Sequence, residues 1–448
     1  MTEEIIVHLT QNHAVGAEPQ PLACDSDCAC GINVGPIPPV AALPVFYSLE
    51  LTPTCNNRCQ GCYNVFAPNR QSRDGMIGHR QPLTFAEWQG ILARIAPHAR
   101  RLKLTGGEPT LSPDFARIVR RIQHLDLEFV LFTNGRWLQP DALLDLLSDV
   151  PQLVGMLISL HGARARSHEA FTGVPGSFSE TVTNIKRAVD RGLPVTISTV
   201  LTQANADEIA DIVALARELG TEHTVFNRFL GPPLPGISLS DAELVRATRR
   251  VDKLRQQGER VQFGVCIPQC LVDNSSTGCL AGTAYCTIDP WGNVRPCNHS
   301  ALLAGNLLHQ PLEEIWHSAV MEDFRNAIPA QCRTCTAFGQ CHGGCRAVAM
   351  ELGLDRDPLI RRPIPDRERP PTVLHLPSEA RPLARYHLSQ GLLVHGNAVL
   401  AVPMENRAVL SILDGQTTLQ EIEQQFGQPG LALVGALYQN NMVELQTG

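Results

Sequence analysis

The chain of 448 residues is 44% hydrophobic and 18% charged, the composition of a folded, globular protein long enough for two or three domains. Its formal net charge of −7 argues against a bulk electrostatic fit to nucleic acid or to an anionic membrane surface. No apolar run approaches the roughly 18–20 residues of a membrane span. The opening MTEEIIVHLT lacks the basic-then-apolar order of a signal peptide, so the expected compartment is the cytoplasm. Fifteen cysteines are the outlier. A disulfide framework is not expected under reducing conditions, and clustered cysteines then point to metal.

Taken in chain order, residues 1–44 form a loose extension containing ACDSDCACG, in which Cys24, Cys28 and Cys30 have no evident task. From 45 to 235, short β-type runs alternate with amphipathic helices. The runs are VFYSLEL, RLKLTGG, EFVLFTNG, GMLISLHG, PVTISTVLT and HTVFNRF. Between two of them, ADEIADIVALARELG sets Ile209, Ile212, Val213, Ala216 and Leu219 on one helical face and stops at Gly220. Six strands alternating with helices imply a parallel sheet with right-handed crossovers, closed or partly closed into a barrel. Function is then expected at the C-terminal strand ends, where TGGEP, TNG and SLHG stand. The next domain spans 236–357: a capped helix over 238–257, beginning SLSDAEL, and then a cysteine-rich, loop-rich stretch from 266 to 345. Residues 358–382 hold seven prolines among charges, which reads as a linker, and 383–448 reads as a small separate unit.

After the first strand stands LTPTCNNRCQGCYN, with Cys55, Cys59 and Cys62 spaced C-x3-C-x2-C. A structural zinc site wants a fourth protein ligand; three thiolates on an iron–sulfur cluster leave one iron open. This loop resembles that of radical S-adenosylmethionine (SAM) enzymes. The resemblance implies a partial (β/α)6 TIM-like barrel of the α/β class, with a [4Fe–4S] cluster whose open iron binds SAM. One electron then cleaves SAM to methionine and a 5′-deoxyadenosyl radical. It further implies SAM contacts at Gly106, Gly107 and Glu108 of TGGEP, at Asn134 of TNG, at Ser159 of ISLHG and at Ser198 of the fifth strand. Glu108 is expected to accept from the methionine ammonium. The chain departs from the family at Gly61, where an aromatic or other apolar residue near the adenine is usual; Tyr63 follows instead.

CLAGTAYCTIDPWGNVRPC and CRTCTAFGQCHGGC resemble the SPASM extension, which holds two auxiliary clusters of the [4Fe–4S] type. By that resemblance the first uses Cys279, Cys297 and Cys345, with Cys270 as the expected fourth and Cys266 and Cys286 as runners-up. The second uses Cys332, Cys335 and Cys341. Its remaining family ligand, a cysteine just after an Asp-Pro, is absent: the chain has Asp357 and Pro358 and no cysteine beyond Cys345. Three readings stay open. One of Cys24, Cys28 or Cys30 closes the cluster; Asp357 ligates through oxygen; or the iron stays open to substrate.

Residues 383–448 read as strands followed by three short helices, a winged-helix-like unit. Arg385 and Arg407 face five acidic residues there, a poor phosphate binder. LLVHGNAVLAVPMENRAVLSILDG and TLQEIEQQFG resemble the PqqD-like element that binds leader peptides of ribosomally made precursors. The expectation is a radical SAM/SPASM enzyme that crosslinks, bridges or excises within such a peptide, fed by a donor such as flavodoxin or ferredoxin. Maturation of a folded protein or of a small cofactor such as a modified haem is the alternative, and a non-enzymatic iron–sulfur carrier the remote one. Arg136, His161, Asn227 and Arg228 are further polar candidates at the barrel mouth, and no acid or base is assigned.

Overall fold

The computed structural model describes residues 4–9, 40–67, 81–264, 267–272, 278–362, 372–389, 392–395, 398–401 and 406–446. Cys24, Cys28, Cys30 and Cys266 lie outside them.

The six expected strands form in sequence order. They are β2 (Phe46–Glu50), β3 (Arg101–Thr105), β4 (Glu128–Thr133), β5 (Leu153–Ser159), β6 (Val195–Leu201) and β7 (His223–Arg228). Every position of β2 is buried, as in a parallel strand covered on both faces. The outer layer is α1 (Phe85–Ile95), α2 (Phe115–His124), α3 (Pro140–Ser148), α4 (Ala165–Thr172), α5 (Ser177–Asp190) and α6 (Ile209–Glu218), followed by α7 (Asp241–Gln256). Capping boxes start two of these helices, Thr84 with Glu87 at α1 and Ser240 with Glu243 at α7. Ile118, Val119 and Ile122 of α2 pack inward with Leu102, Leu104 and Leu131 of the strands, one continuous apolar layer between sheet and helices.

The sheet extends at both edges. β8 (Val261–Phe263) joins β7 in parallel. At the other edge β9 (Tyr285–Ile288) pairs in parallel with β2, Phe46 opposite Tyr285, followed by β10 (Asn293–Arg295) and β11 (Gly305–Asn306). The order β11-β10-β9-β2-β3-β4-β5-β6-β7-β8 has two free ends, so this is an α/β partial barrel. Because β9 comes from the cysteine-rich region, that region is built directly onto the first barrel strand.

The proline-rich stretch is not wholly a linker. Residues Thr372–Pro377 form β12, which pairs antiparallel with β1 (Glu4–Leu9) from the N-terminal extension. Leu376 and Ala380 enter the core of the C-terminal unit with Leu413, Leu419 and Leu437, so apolar burial overrode the proline signal. That unit adds β13 (Arg381–Ala384), β14 (His387–Ser389), β15 (Leu392–His395), β16 (Ala398–Ala401) and β17 (Val443–Gln446). β14-β15-β16 form one sheet and β13 pairs with β17. Its helices are Arg407–Leu410 and Leu419–Gln439, the latter broken at Gly427. Leu392 and Val394 of β15 pack with Val45 and Phe46 at the start of β2, which docks the unit on the barrel.

Candidate active site

The cysteine loop follows β2 and is held by the turn after β3. Gly107 N donates to Thr52 O at 2.7 Å and Glu108 N to Thr54 O at 2.8 Å. A Cβ on Gly107 would lie 2.3 Å from Thr54 O, so only glycine admits this contact. Cys55, Cys59 and Cys62 stand together above it. Burial pushes the Cys59 thiol well above its usual range, and the neighbouring Cys62 and Cys55 push it further. Such thiols ionise only against a strong positive partner, which iron provides.

The expected SAM residues divide into two groups. Gly106, Ser159 and Ser198 line a cavity of about 480 Å³ together with Cys59, Cys62, His161, Asn227 and Arg228. Gly107, Glu108 and Asn134 are not among its lining residues. Glu108 is fully buried, with Oε1 accepting from Thr110 Oγ1 at 2.7 Å and Thr133 Oγ1 at 2.8 Å, and Oε2 from Asn134 N at 2.8 Å. Its carboxylate braces the TNG turn, with Oε2 accepting one bond, from Asn134 N. Burial raises its pKa, against these hydrogen bonds. Asn134 in turn donates through Nδ2 to Asn56 Oδ1 at 2.7 Å. Arg136 holds the same loop, donating to Asn56 O at 2.7 Å and to Asn57 Oδ1 at 2.9 Å. Ser198 Oγ accepts from Asn227 Nδ2 at 3.1 Å. His161 is buried and neutral, its pKa pushed down to about 3 by burial and then by His168. Its Nδ1 accepts from Val200 N at 3.2 Å.

Two aromatic residues escaped the sequence reading. A Cβ at Gly61 would lie 2.5 Å from Phe229 Cε2 and 2.9 Å from Phe171 Cε2. The apolar bulk that the loop lacks is supplied by Phe229, just after β7, and by Phe171 of α4, and both rings line the cavity. Lys103, an odd cation in the strand RLKLT, was also passed over. It lies in the cavity wall, Nζ donating to Asn298 Oδ1 at 3.1 Å and 4.2 Å from the centre of the Phe132 ring. Burial lowers its pKa to about 8.

The same cavity is also lined by Cys279, Cys297 and Cys345. Burial pushes the Cys297 thiol up to about 12, and Cys279 and Cys345 add to the rise, as three neighbouring thiols do. The turn bearing Cys297 is fixed by the fully buried Arg295, which donates to Ser300 O at 2.8 Å and pairs with Glu50; Asn298 Nδ2 reaches Glu50 Oε1 at 2.8 Å. Cys286 is buried in the apolar core on β9, away from these thiols.

Cys332, Cys335 and Cys341 line a separate recess, and the fourth cysteine in it is Cys270. The grouping expected from the sequence, Cys270 with Cys279, Cys297 and Cys345, is corrected here. Chain proximity favoured that grouping, but the turn at 268–272 carries Cys270 to the other site. Asp357 does not line the recess. It is buried against Arg228, with Nη1–Oδ1 at 3.0 Å and Nη2–Oδ2 at 2.6 Å, and accepts from Cys345 N at 2.8 Å and Leu359 N at 3.0 Å. A carboxylate so engaged has no lone pair directed at iron.

Among the described residues no three His, Cys, Asp or Glu side chains converge on a point that one metal ion could occupy. Three separate groups of neighbouring cysteines fit clusters in which every thiolate takes a different iron. Cys55, Cys59 and Cys62 would hold the SAM-binding cluster, and the other two groups the auxiliary clusters.

Known proteins resemble this chain over both the barrel and the cysteine-rich region. The Radical SAM superfamily matches residues 49–233, and the SPASM iron–sulfur cluster-binding domain matches 279–336. An AdoMet-dependent heme synthase of Methanosarcina barkeri is 29% identical over 68% of this chain and 92% of its own length. A PqqA peptide cyclase of Methylobacterium nodulans is 27% identical over 71% and 86%. Among solved structures, Streptococcus suis SuiB bound to the precursor peptide SuiA superposes with a TM-score of 0.58 at 18% identity, covering 71% of this chain and 76% of that one. At that identity the likeness is one of fold.

Proposed function

The chain is a radical SAM/SPASM enzyme, and from that premise we propose that it modifies a ribosomally synthesised precursor peptide in the cytoplasm. Reductive cleavage of SAM supplies a 5′-deoxyadenosyl radical that abstracts hydrogen from a substrate residue. The observation carrying the reading is the shared cavity. It is lined both by Cys59 and Cys62 of the cysteine loop and by Cys279, Cys297 and Cys345. It adjoins a second hollow of about 440 Å³ that shares Cys62, Phe229 and His299 with it. A side chain on an extended peptide can enter between the two sets of thiols.

In this reading Gly106, Ser159 and Ser198 contact SAM, while Phe171 and Phe229 cover it and exclude water. Glu108, Asn134 and Arg136 keep the cysteine loop in register with β4. Cys279, Cys297 and Cys345 would hold a cluster at the same cavity, and that cluster would supply an electron acceptor. The residues 383–448 hold the leader, raising the local concentration of the segment to be modified. A low-potential donor such as flavodoxin or ferredoxin supplies the electron. The similarity to a heme synthase favours a second reading, a small-molecule tetrapyrrole substrate in the same cavity.

Anaerobic coexpression with a small peptide encoded beside the gene, read by mass spectrometry, separates the two. A loss of two hydrogens or a larger deficit, absent with Cys59→Ala and suppressed by excess synthetic leader, is the expected outcome. No mass change in the peptide, with SAM consumed on addition of an iron tetrapyrrole, would establish the second reading instead.

A further inference from the structure

The recess lined by Cys332, Cys335 and Cys341 looks, from the sequence, one ligand short. Its fourth ligand would come from just after Asp357 and Pro358, and no cysteine stands there. The structure brings that stretch to the recess all the same: Ile360 and Arg362 line it. Its contribution is a backbone donor instead of a thiolate, Arg361 N to Cys270 Sγ at 3.1 Å. Cys270 comes instead from upstream in the sequence, on residues 267–272, which follow β8. The thiols of Cys341, Cys270 and Cys335 all lie near enough to act electrostatically on Cys332, a four-thiol group.

The structure assigns Cys270 as the fourth ligand of the second auxiliary cluster. The ligand has changed sides, from the segment after the cysteine run to the segment before it, and lies outside the stretch that matches the SPASM domain. Three consequences follow. The second cluster is a closed, four-thiolate cluster with no iron left for substrate, suited to passing electrons and to bracing the fold. Neither Cys24, Cys28, Cys30 nor Asp357 is needed to complete it. Cys279, Cys297 and Cys345 are left as a three-thiolate set on the substrate cavity, with Cys270 removed from it. The N–H···S bond from Arg361 stabilises the anionic thiolate and gives the segment after Asp357 the task of tuning the cluster in place of ligating it.

This assignment rests on the iron–sulfur reading of the cysteine-rich region and not on the identity of the substrate. It is tested in a Cys55→Ala/Cys59→Ala/Cys62→Ala background, which leaves only the auxiliary clusters. The protein is reconstituted anaerobically and read by iron and sulfide analysis, Mössbauer and EPR spectroscopy. The background is expected to hold about eight irons. Cys270→Ala should lower that number or convert one cluster to a three-iron form, altering the same signal that Cys335→Ala alters. Cys270→Ser, which keeps the side chain's size and can ligate through oxygen, should keep the far-UV circular dichroism and shift that same signal. Unchanged iron and spectra in both Cys270 variants would overturn the assignment. So would an effect on the signal that Cys279→Ala removes. A background holding only about four irons, or zinc in their place, would overturn it together with the two-cluster reading beneath it. Failure to modify a peptide leaves all of these readouts untouched.

Discussion

Gly61 shows how a departure from a family pattern is compensated in space. Where an aromatic would precede the third cysteine, Phe229 and Phe171 already fill the volume, and a Cβ there would lie 2.5 Å from the first ring. Restoring the usual residue should therefore damage the site. Gly61→Phe is expected to overpack the loop by about 1–3 kcal/mol and lower 5′-deoxyadenosine formation at least about tenfold. Gly61→Phe combined with Phe229→Ala should recover most of the loss, a coupling measured by a double-mutant cycle on SAM cleavage. Independent effects of the two substitutions would show that the rings do not share that volume. Glu108 teaches the complementary lesson. Its carboxylate is buried and accepts from Thr110, Thr133 and Asn134, so it ties the turn after β3 to the end of β4.

At the level of elements, the pairing of β1 with β12 joins two stretches that look unstructured in the sequence. The register runs from Glu4 opposite Pro377 to Leu9 opposite Thr372. β1 covers an edge that would otherwise present unpaired backbone groups. Removing residues 1–10 should leave the amides of 372–377 exchanging at least about tenfold faster, with the strands of the barrel unaffected, as hydrogen-exchange mass spectrometry would register. Unchanged protection of 372–377 would show that β1 contributes nothing to that edge. On the reading proposed above, a leader strand would add to an edge of this unit, where β12, β13, β14, β16 and β17 each have one strand neighbour among the described residues.

Across the whole molecule, barrel and cysteine-rich region are one body, joined by the β2–β9 ladder and by the ion pair of Arg228 with Asp357. Arg228 ends β7, and Asp357 accepts from the backbone of Cys345, so the pair fixes an auxiliary thiol to the barrel mouth. Both side chains are almost wholly buried, at 4% and 0% exposure. Asp357→Ala leaves a buried guanidinium uncompensated and should cost roughly 3–5 kcal/mol. Arg228→Met/Asp357→Leu should recover much of it, as chemical denaturation under anaerobic conditions would read. An Asp357→Ala protein with the parental midpoint would remove the pair from this structural role.

What was legible in the sequence is what chain-local chemistry carries. The spacing of Cys55, Cys59 and Cys62, the glycines of TGGEP and the strand–helix alternation each depend on residues close together in the chain, and they led to the barrel, its cofactor and the side on which function sits. Partnerships across long separations were not legible. Cys270 has several neighbouring cysteines within reach by sequence, and only the turn at 268–272 decides which it joins. Asp357 looked like a ligand because it follows the cysteine run, yet Arg228, 129 residues earlier, claims it. β1 and β12 carry no strong signal alone because each is stabilised by the other. Sequence spacing constrains partners only within a turn or two of chain; beyond that, the packing of the sheet chooses among chemically equivalent thiols, carboxylates and strand edges.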